Sequence, residues 1–287
     1  MRTMKWGAML TGAVLLATLI GCAVQPAYGP GPGVLADGSA TTQPPPPIPE
    51  YDQPPCPNAS YLWTPGYWAF APAGYYWVPG TWVAPPQVGV LWTPGYWAYA
   101  DAVYVFHSGY WGPHVGYYGG INYGGGYTGS GYAGARWVGN SIRYNTAVTN
   151  VNTTIIHNTY NETVINNVTV SRVSYVGGPA GGSAQPTQQE LAATRDQHLA
   201  ATPGQVQHVR AAATTPQLLA THNQGQPPIA ATPRPGAFTA EGVTAAKPTI
   251  RAAQAAATPR AAHREPAETA AENDKKSEKT PEAEPRP

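Results

Sequence analysis

The sequence predicts a mainly β protein: a small antiparallel meander of four aromatic W-x-P-G-x-W repeats, with a few short helices after it and long disordered segments. Three observations carry this. The cores "WTPGYW" (63–68), "WVPGTW" (77–82) and "WTPGYW" (92–97) recur, followed by a worn copy, "FHSGYW" (106–111). Their glycines Gly66, Gly80, Gly95 and Gly109 lie 14, 15 and 14 residues apart, a fixed period that marks a repeated structural unit. Around each core, Tyr and Trp alternate with Val, Leu and Thr, residues that suit a pleated, half-buried surface. The 287 residues include 32 glycines, 32 prolines, 18 tyrosines and 9 tryptophans against 3 phenylalanines, so the aromatic surfaces carry polar tips.

The chain opens on a basic "MRTMK" and an apolar run, Trp6 to Ile20, which ends at Gly21-Cys22. This is the pattern of a secretory signal over 1–21, and the run is short of the roughly 20 residues a membrane span needs. Leu19-Ile20-Gly21-Cys22 resembles the bacterial lipobox. That resemblance implies lipidation of Cys22 as the first mature residue and stable membrane anchoring through several acyl chains. Ala23 after the cysteine implies sorting to the outer membrane.

Residues 22–60, with "YGPGPGVLADG" and "TTQPPPPIPEYDQPPCP", predict a lipid-anchored Pro/Gly linker, a semi-rigid polyproline-like spacer. The one thiol left after lipidation, Cys56, sits in "QPPCPN", where it is expected to be exposed.

Within the repeats (61–112), Pro-Gly reads as a bend or bulge inside a longer strand, with Gly supplying the left-handed residue, because type II turns splay tight hairpins. Strands are expected near 61–70, 75–83, 90–99 and 104–112, with reversals at 71–74, 84–89 and 100–102. One extra residue at each Pro-Gly would place both tryptophans of a copy on one face. Trp63, Trp68, Trp77, Trp82, Trp92, Trp97 and Trp111 then form an aromatic sheet face. Two readings stand: the face is a core, or its rings are exposed and stack on sugars.

These cores resemble the YXWGXW (WXXGXW) repeat family of bacterial envelope proteins, and downstream phrases such as "IHNTYNETVINN" and "ATPRPGAF" extend the resemblance over most of 61–240. It implies an envelope address and a repeat β architecture, and no reaction.

Residues 113–176 hold a Gly/Tyr-rich strip and an Asn/Thr-rich β-branched segment. The strip either wraps over the sheet or is disordered and self-associating. In the second segment strand propensity competes with a partly helical spacing, and strand is expected. Its low charge makes it a natural pairing edge between subunits. Residues 177–240 predict short helices, from a capping box Thr187–Glu190 and from Thr202-Pro203 and Thr215-Pro216 as N-cap followed by proline. Residues 241–287 hold eight charges of each sign and predict a disordered charged tail.

The formal net charge is +1, and from Gln53 to Ala135 the only charged side chain is Asp101, so nothing suggests a nucleic-acid partner. His198, His208 and His222 match no metal-ligand spacing, and His107 and His114 lack an acidic partner in sequence. No nucleophile, acid/base pair or phosphate loop stands out. The expectation is therefore non-enzymatic and without cofactor: a cell-envelope lipoprotein anchored in the outer membrane. It acts as an interaction module that binds polysaccharide or peptidoglycan through Tyr and Trp, or as a self-assembling structural protein that forms homo-oligomers.

Overall fold

The computed structural model describes residues 38–164 and 173–248. The signal run, Cys22, the start of the linker, residues 165–172 and the charged tail beyond 248 lie outside the described residues. A short strand β1 (Ala40–Thr41) precedes the repeats. The repeats form β2 (Leu62–Thr64), β3 (Tyr67–Ala71), β4 (Gly74–Val78), β5 (Gly80–Val83), β6 (Leu91–Thr93), β7 (Tyr96–Ala100), β8 (Val103–His107) and β9 (Tyr110–Gly112). The Gly/Tyr strip gives β10 (Asn122–Gly124) and β11 (Tyr127–Thr128). Then come β12 (Ala135–Val138), β13 (Ser141–Asn145), β14 (Thr159–Tyr160) and β15 (Tyr175–Val176). Helices α1 (Gln188–Ala193), α2 (Pro203–Ala213) and α3 (Ala220–Asn223) follow, and β16 (Ala231–Thr232) is the last strand. The expected disordered tail is corrected at its start: Thr244 N donates to Ala231 O and Lys247 N to Glu50 O, so residues 244–247 are tied into the fold. The fold is mainly β with few short helices, as the sequence predicts.

The repeats pair two by two. β2 and β3 run antiparallel to β5 and β4, reversing at Pro72-Ala73, and β6 and β7 run antiparallel to β9 and β8, reversing at Asp101-Ala102. Every predicted strand is present, and each is broken at its Pro-Gly or, in the worn fourth copy, at Ser108-Gly109. The break is not a bulge. Thr64 pairs with Thr81 and Tyr67 with Val78, so Pro65-Gly66 faces Pro79-Gly80 with two residues on each side. Pro94-Gly95 faces Ser108-Gly109 in the same way. Proline has no N–H to give the ladder. Aligning the two breaks confines the interruption to one level of the hairpin.

The four repeat glycines correct a second expectation, for none of them has the positive φ of a turn residue. They are required by close approach. A Cβ on Gly80 would lie 2.6 Å from Trp63 Cζ2, and one on Gly109 would lie 2.5 Å from Trp92 Cζ2. Gly66 receives Trp77, and Gly95 receives Phe106, in the same manner. Each copy's leading ring thus seats on the glycine of the copy opposite. Directly across the ladder, leading faces trailing: Trp63 with Trp82, Trp68 with Trp77, Trp92 with Trp111 and Trp97 with Phe106. Their rings meet at 5.2–5.3 Å between centroids, tilted or edge-on, the arrangement aromatic quadrupoles favour.

The two hairpins are cross-tied. Trp97 Nε1 donates to Trp68 O at 2.8 Å, and the Tyr127 hydroxyl donates to Trp92 O at 2.7 Å. Of the two readings of the Gly/Tyr strip, the packed one holds: Tyr118, Tyr123 and Tyr127 are buried. Short clips cover the hairpin edges. β1 lies on β8, β15 on β7 and β16 on β5, which removes open ladder edges.

The proline segment does not act as a spacer over the described residues 38–60. It is a strap. Trp82 Nε1 donates to Pro54 O at 2.8 Å, Trp68 Nε1 to Pro47 O at 3.1 Å, and the Tyr75 hydroxyl to Gln43 O at 2.7 Å. The physical reason is complementarity. Buried indoles carry an N–H that strand neighbours cannot satisfy, and a polyproline run has carbonyls free of any ladder. Cys56 is buried within this strap, not exposed, and its thiol donates to Asn58 O.

The helix starts follow their caps. Thr187 and Glu190 close a capping box on α1, and Thr202 with Gln205 does so on α2, where Pro203 is the first helical residue. The third predicted helix divides into a 3₁₀ turn, Pro216–Leu218, and α3. Leu218 is fully buried, whereas Leu191 is 44% exposed. In the Asn/Thr-rich segment the expected strand forms only in short pieces among the described residues, at the end of β13, at β14 and at β15, and 146–158 is turn and loop.

Candidate functional site

All seven tryptophans predicted as stacking platforms lie in the core: Trp63, Trp68, Trp77, Trp82, Trp92, Trp97 and Trp111 are at most 8% exposed. Rings so little exposed offer no open face to a sugar at the surface; Trp92, the most exposed of them, lines the cavity under α2. The stacking assignment for these residues is therefore corrected; their rings pack the hairpins, and the reading of the aromatic face as a core holds.

The titratable groups are also bound into structure. His208, on α2, is buried; Gly236 N donates to its Nδ1, so Nε2 carries the proton and donates to Pro79 O at 2.9 Å. Burial pushes its pKa down to about 4. The Glu190 carboxylate accepts from Thr187 N, Thr187 Oγ1 and Ser130 Oγ. His198 stacks on Tyr110, and His107 stacks on Tyr96. His114 does find an acidic partner, Asp196 at 2.9 Å, supplied from 82 residues further along the chain. Burial raises the Cys56 thiol to about 11, away from nucleophilic character. Among the described residues no His/Cys/Asp/Glu group is arranged to hold a metal ion, and no helix is long and apolar enough to cross a membrane.

Cavities remain in at least three places among the described residues. One, of about 370 Å³, lies between Tyr96, Tyr110, Glu190 and His198, whose side chains are already stacked or hydrogen-bonded. A second, of about 280 Å³, lies where α2 covers the breaks of both hairpins, between Pro79, Phe106 and Val209. Its nearby polar side chains are already committed, His208 to Pro79 and Gln205 to Trp111 and the α2 cap. The third is a surface cleft of about 470 Å³, within the size range of small-molecule sites.

This cleft is built around Trp137, the tryptophan of β12, which sequence reasoning did not single out. β12 and β13 form a hairpin with the two-residue turn Gly139-Asn140, in which Gly139 has φ +58 and Asn140 is not left-handed, the pattern of a type II′ turn. Trp137 pairs with Ile142, so the two side chains share a face. Ile142 is buried, Trp137 is partly exposed, and Trp137 Nε1 donates to Val90 O at 2.9 Å, which fixes the ring. Around it stand Asn58, Gln87, Asn140, Ser141 and Asn158, with no charged residue in the lining. Strand alternation sends Arg136 and Arg143 to the opposite face, where Arg136 lies 4.1 Å above the Tyr160 ring and Arg143 donates to Thr159 O. A signal for this residue was present: a tryptophan just before Gly-Asn, outside the repeat period.

The comparisons with known proteins agree with the geometry of the repeats. The WXXGXW repeat family matches in two copies, residues 61–83 and 88–111. Each match spans two successive copies, the second of them taking in the worn copy 106–111, so one family unit corresponds to one hairpin. No curated protein and no solved structure matches the chain.

Proposed function

We propose that this protein, which carries WXXGXW repeats over residues 61–111, is a non-enzymatic, lipid-anchored protein of the bacterial cell envelope that works as an interaction module for polysaccharide or peptidoglycan. The observation that carries the reading is where the aromatic residues are spent. The repeat tryptophans build a rigid core, and the uncharged cleft of Trp137 is left at the surface. The lipobox at Leu19–Cys22 supports anchoring through Cys22 and an outer-membrane address. The committed state of His208 and Cys56 supports a non-enzymatic role, since each is held by burial and hydrogen bonds in a form unsuited to proton or group transfer.

The test is a pull-down of the full-length protein on isolated sacculi and on purified envelope polysaccharide, beside fatty-acid labelling of wild type and Cys22→Ser. The expected result is saturable binding, with label lost in Cys22→Ser. Absence of binding to every glycan overturns the module reading, and unchanged labelling overturns the anchor.

Self-assembly is the second reading. It rests on β12, which pairs only with β13 among the described residues and ends in Val138, 50% exposed. Concentration-dependent oligomers, with no glycan binding, would favour it.

A further inference from the structure

We infer that the Trp137 cleft is a binding subsite for an uncharged sugar residue, a hexose or N-acetylhexosamine unit within a glycan chain. The inference rests on the module reading and gives that reading a place on the molecule. A pyranose ring has an apolar C–H face and a rim of hydroxyls, each both donor and acceptor. The cleft answers both. Its floor is aromatic and aliphatic, Trp137 beside Ile142, with the indole ring fixed by the bond to Val90 O. Its rim carries the carboxamides of Gln87, Asn140 and Asn158, and these make no hydrogen bond among the described residues. A carboxamide both donates and accepts, which matches hydroxyls without favouring either charge.

The other ligand classes fit less well. A nucleic-acid strand draws its affinity from Lys and Arg, and none lines this cleft. An anionic or cationic ligand meets no countercharge. A protein interface is centred on apolar and aromatic anchors with Arg, and is poor in Ser. Here no Arg lines the cleft, and the aromatic ring stands among amides and hydroxyls, with Val88 exposed at the edge.

The experiment titrates the purified full-length protein by calorimetry with three probes: an N-acetylglucosamine tetramer, maltotetraose and a uronic-acid tetramer. The first stands for peptidoglycan strands and the second for neutral hexose polymers, so the two arms separate the sources of the same chemistry. Saturable binding to at least one neutral probe is expected, with the uronate weaker. Trp137→Ala should weaken binding at least tenfold and Trp137→Phe by less. Asn140→Ala and Asn158→Ala, each removing an exposed amide, should weaken it severalfold with unchanged circular dichroism. These two carry the test if Trp137→Ala fails to fold. Neutral-probe affinity unchanged in the folded amide variants, or no binding to either neutral probe, overturns the assignment. Sacculus binding distinguishes the two failures. If wild type and the amide variants bind sacculi equally, the cleft is wrong and the module stands. If wild type binds no sacculus or polysaccharide at all, the module reading itself has failed.

Discussion

The indole of Trp63 occupies the space that a side chain at position 80 would need: a Cβ on Gly80 would fall 2.6 Å from Trp63 Cζ2. The relation is reciprocal, since Trp77 seats on Gly66. It explains why W-x-P-G-x-W recurs as a unit. The leading ring needs a glycine on the opposite strand, and the two breaks must be aligned so that one interruption serves both strands, as they are even where Ser108 replaces the proline.

Gly80→Ala is therefore expected to destabilise the protein by about 1–3 kcal/mol through overpacking. The denaturation midpoint in urea measures this. Trp63→Phe in the same chain should recover part of the loss, because the smaller ring vacates the space, and a double-mutant cycle reads the coupling.

Stability should depend on pH through His208. Its folded pKa of about 4 lies below the unfolded value of about 6.5. Above pH 6.5 both states are neutral and the stability is complete. As the pH falls below 6.5 the unfolded state takes up a proton that the folded state refuses, so stability is lost progressively down to about pH 4. The loss is about 3 kcal/mol. Stability curves of wild type and His208→Gln across this window test it; the variant should lack this component of the slope.

Much of this architecture was legible in the sequence because it is local or periodic. The 14- and 15-residue spacing gave the strands and their reversals, and Thr187–Glu190 and Thr202-Pro203 gave the helix starts. What stayed hidden is long-range and aperiodic. The pairing of copies by twos depends on which glycine a ring finds across the ladder. The strap depends on carbonyls of Pro47 and Pro54 reaching indoles that carry no sign of a partner in their own neighbourhood. Clips of two residues, such as Ala231–Thr232 on β5, are too short to show alternation. The candidate site was misplaced for one reason: abundance of tryptophan pointed to the repeats, whereas accessibility belongs to Trp137.

Cys56 should resist thiol reagents in the folded protein, because the strap buries it and burial raises its pKa to about 11. Ellman's reagent at pH 8 should label it slowly, at a rate that rises steeply in denaturant. Prompt labelling of the native protein would mean that the strap is not seated.

The turn Asp101-Ala102 places two residues without glycine's freedom at φ +50 and +65. An alanine there is strained by roughly 1–2 kcal/mol relative to the right-handed region. Ala102→Gly should relieve the strain at some cost in unfolded-state entropy, for a net gain of about 1 kcal/mol in thermal unfolding.

The central claim is that the repeat tryptophans are a core and not a surface. It is tested most directly by acrylamide quenching in a Trp6→Phe, Trp137→Phe variant, in which emission comes only from the seven repeat tryptophans. The account predicts blue-shifted emission that is shielded from acrylamide and becomes quenchable only on unfolding. Quenching of equal strength in the folded and unfolded protein would contradict it.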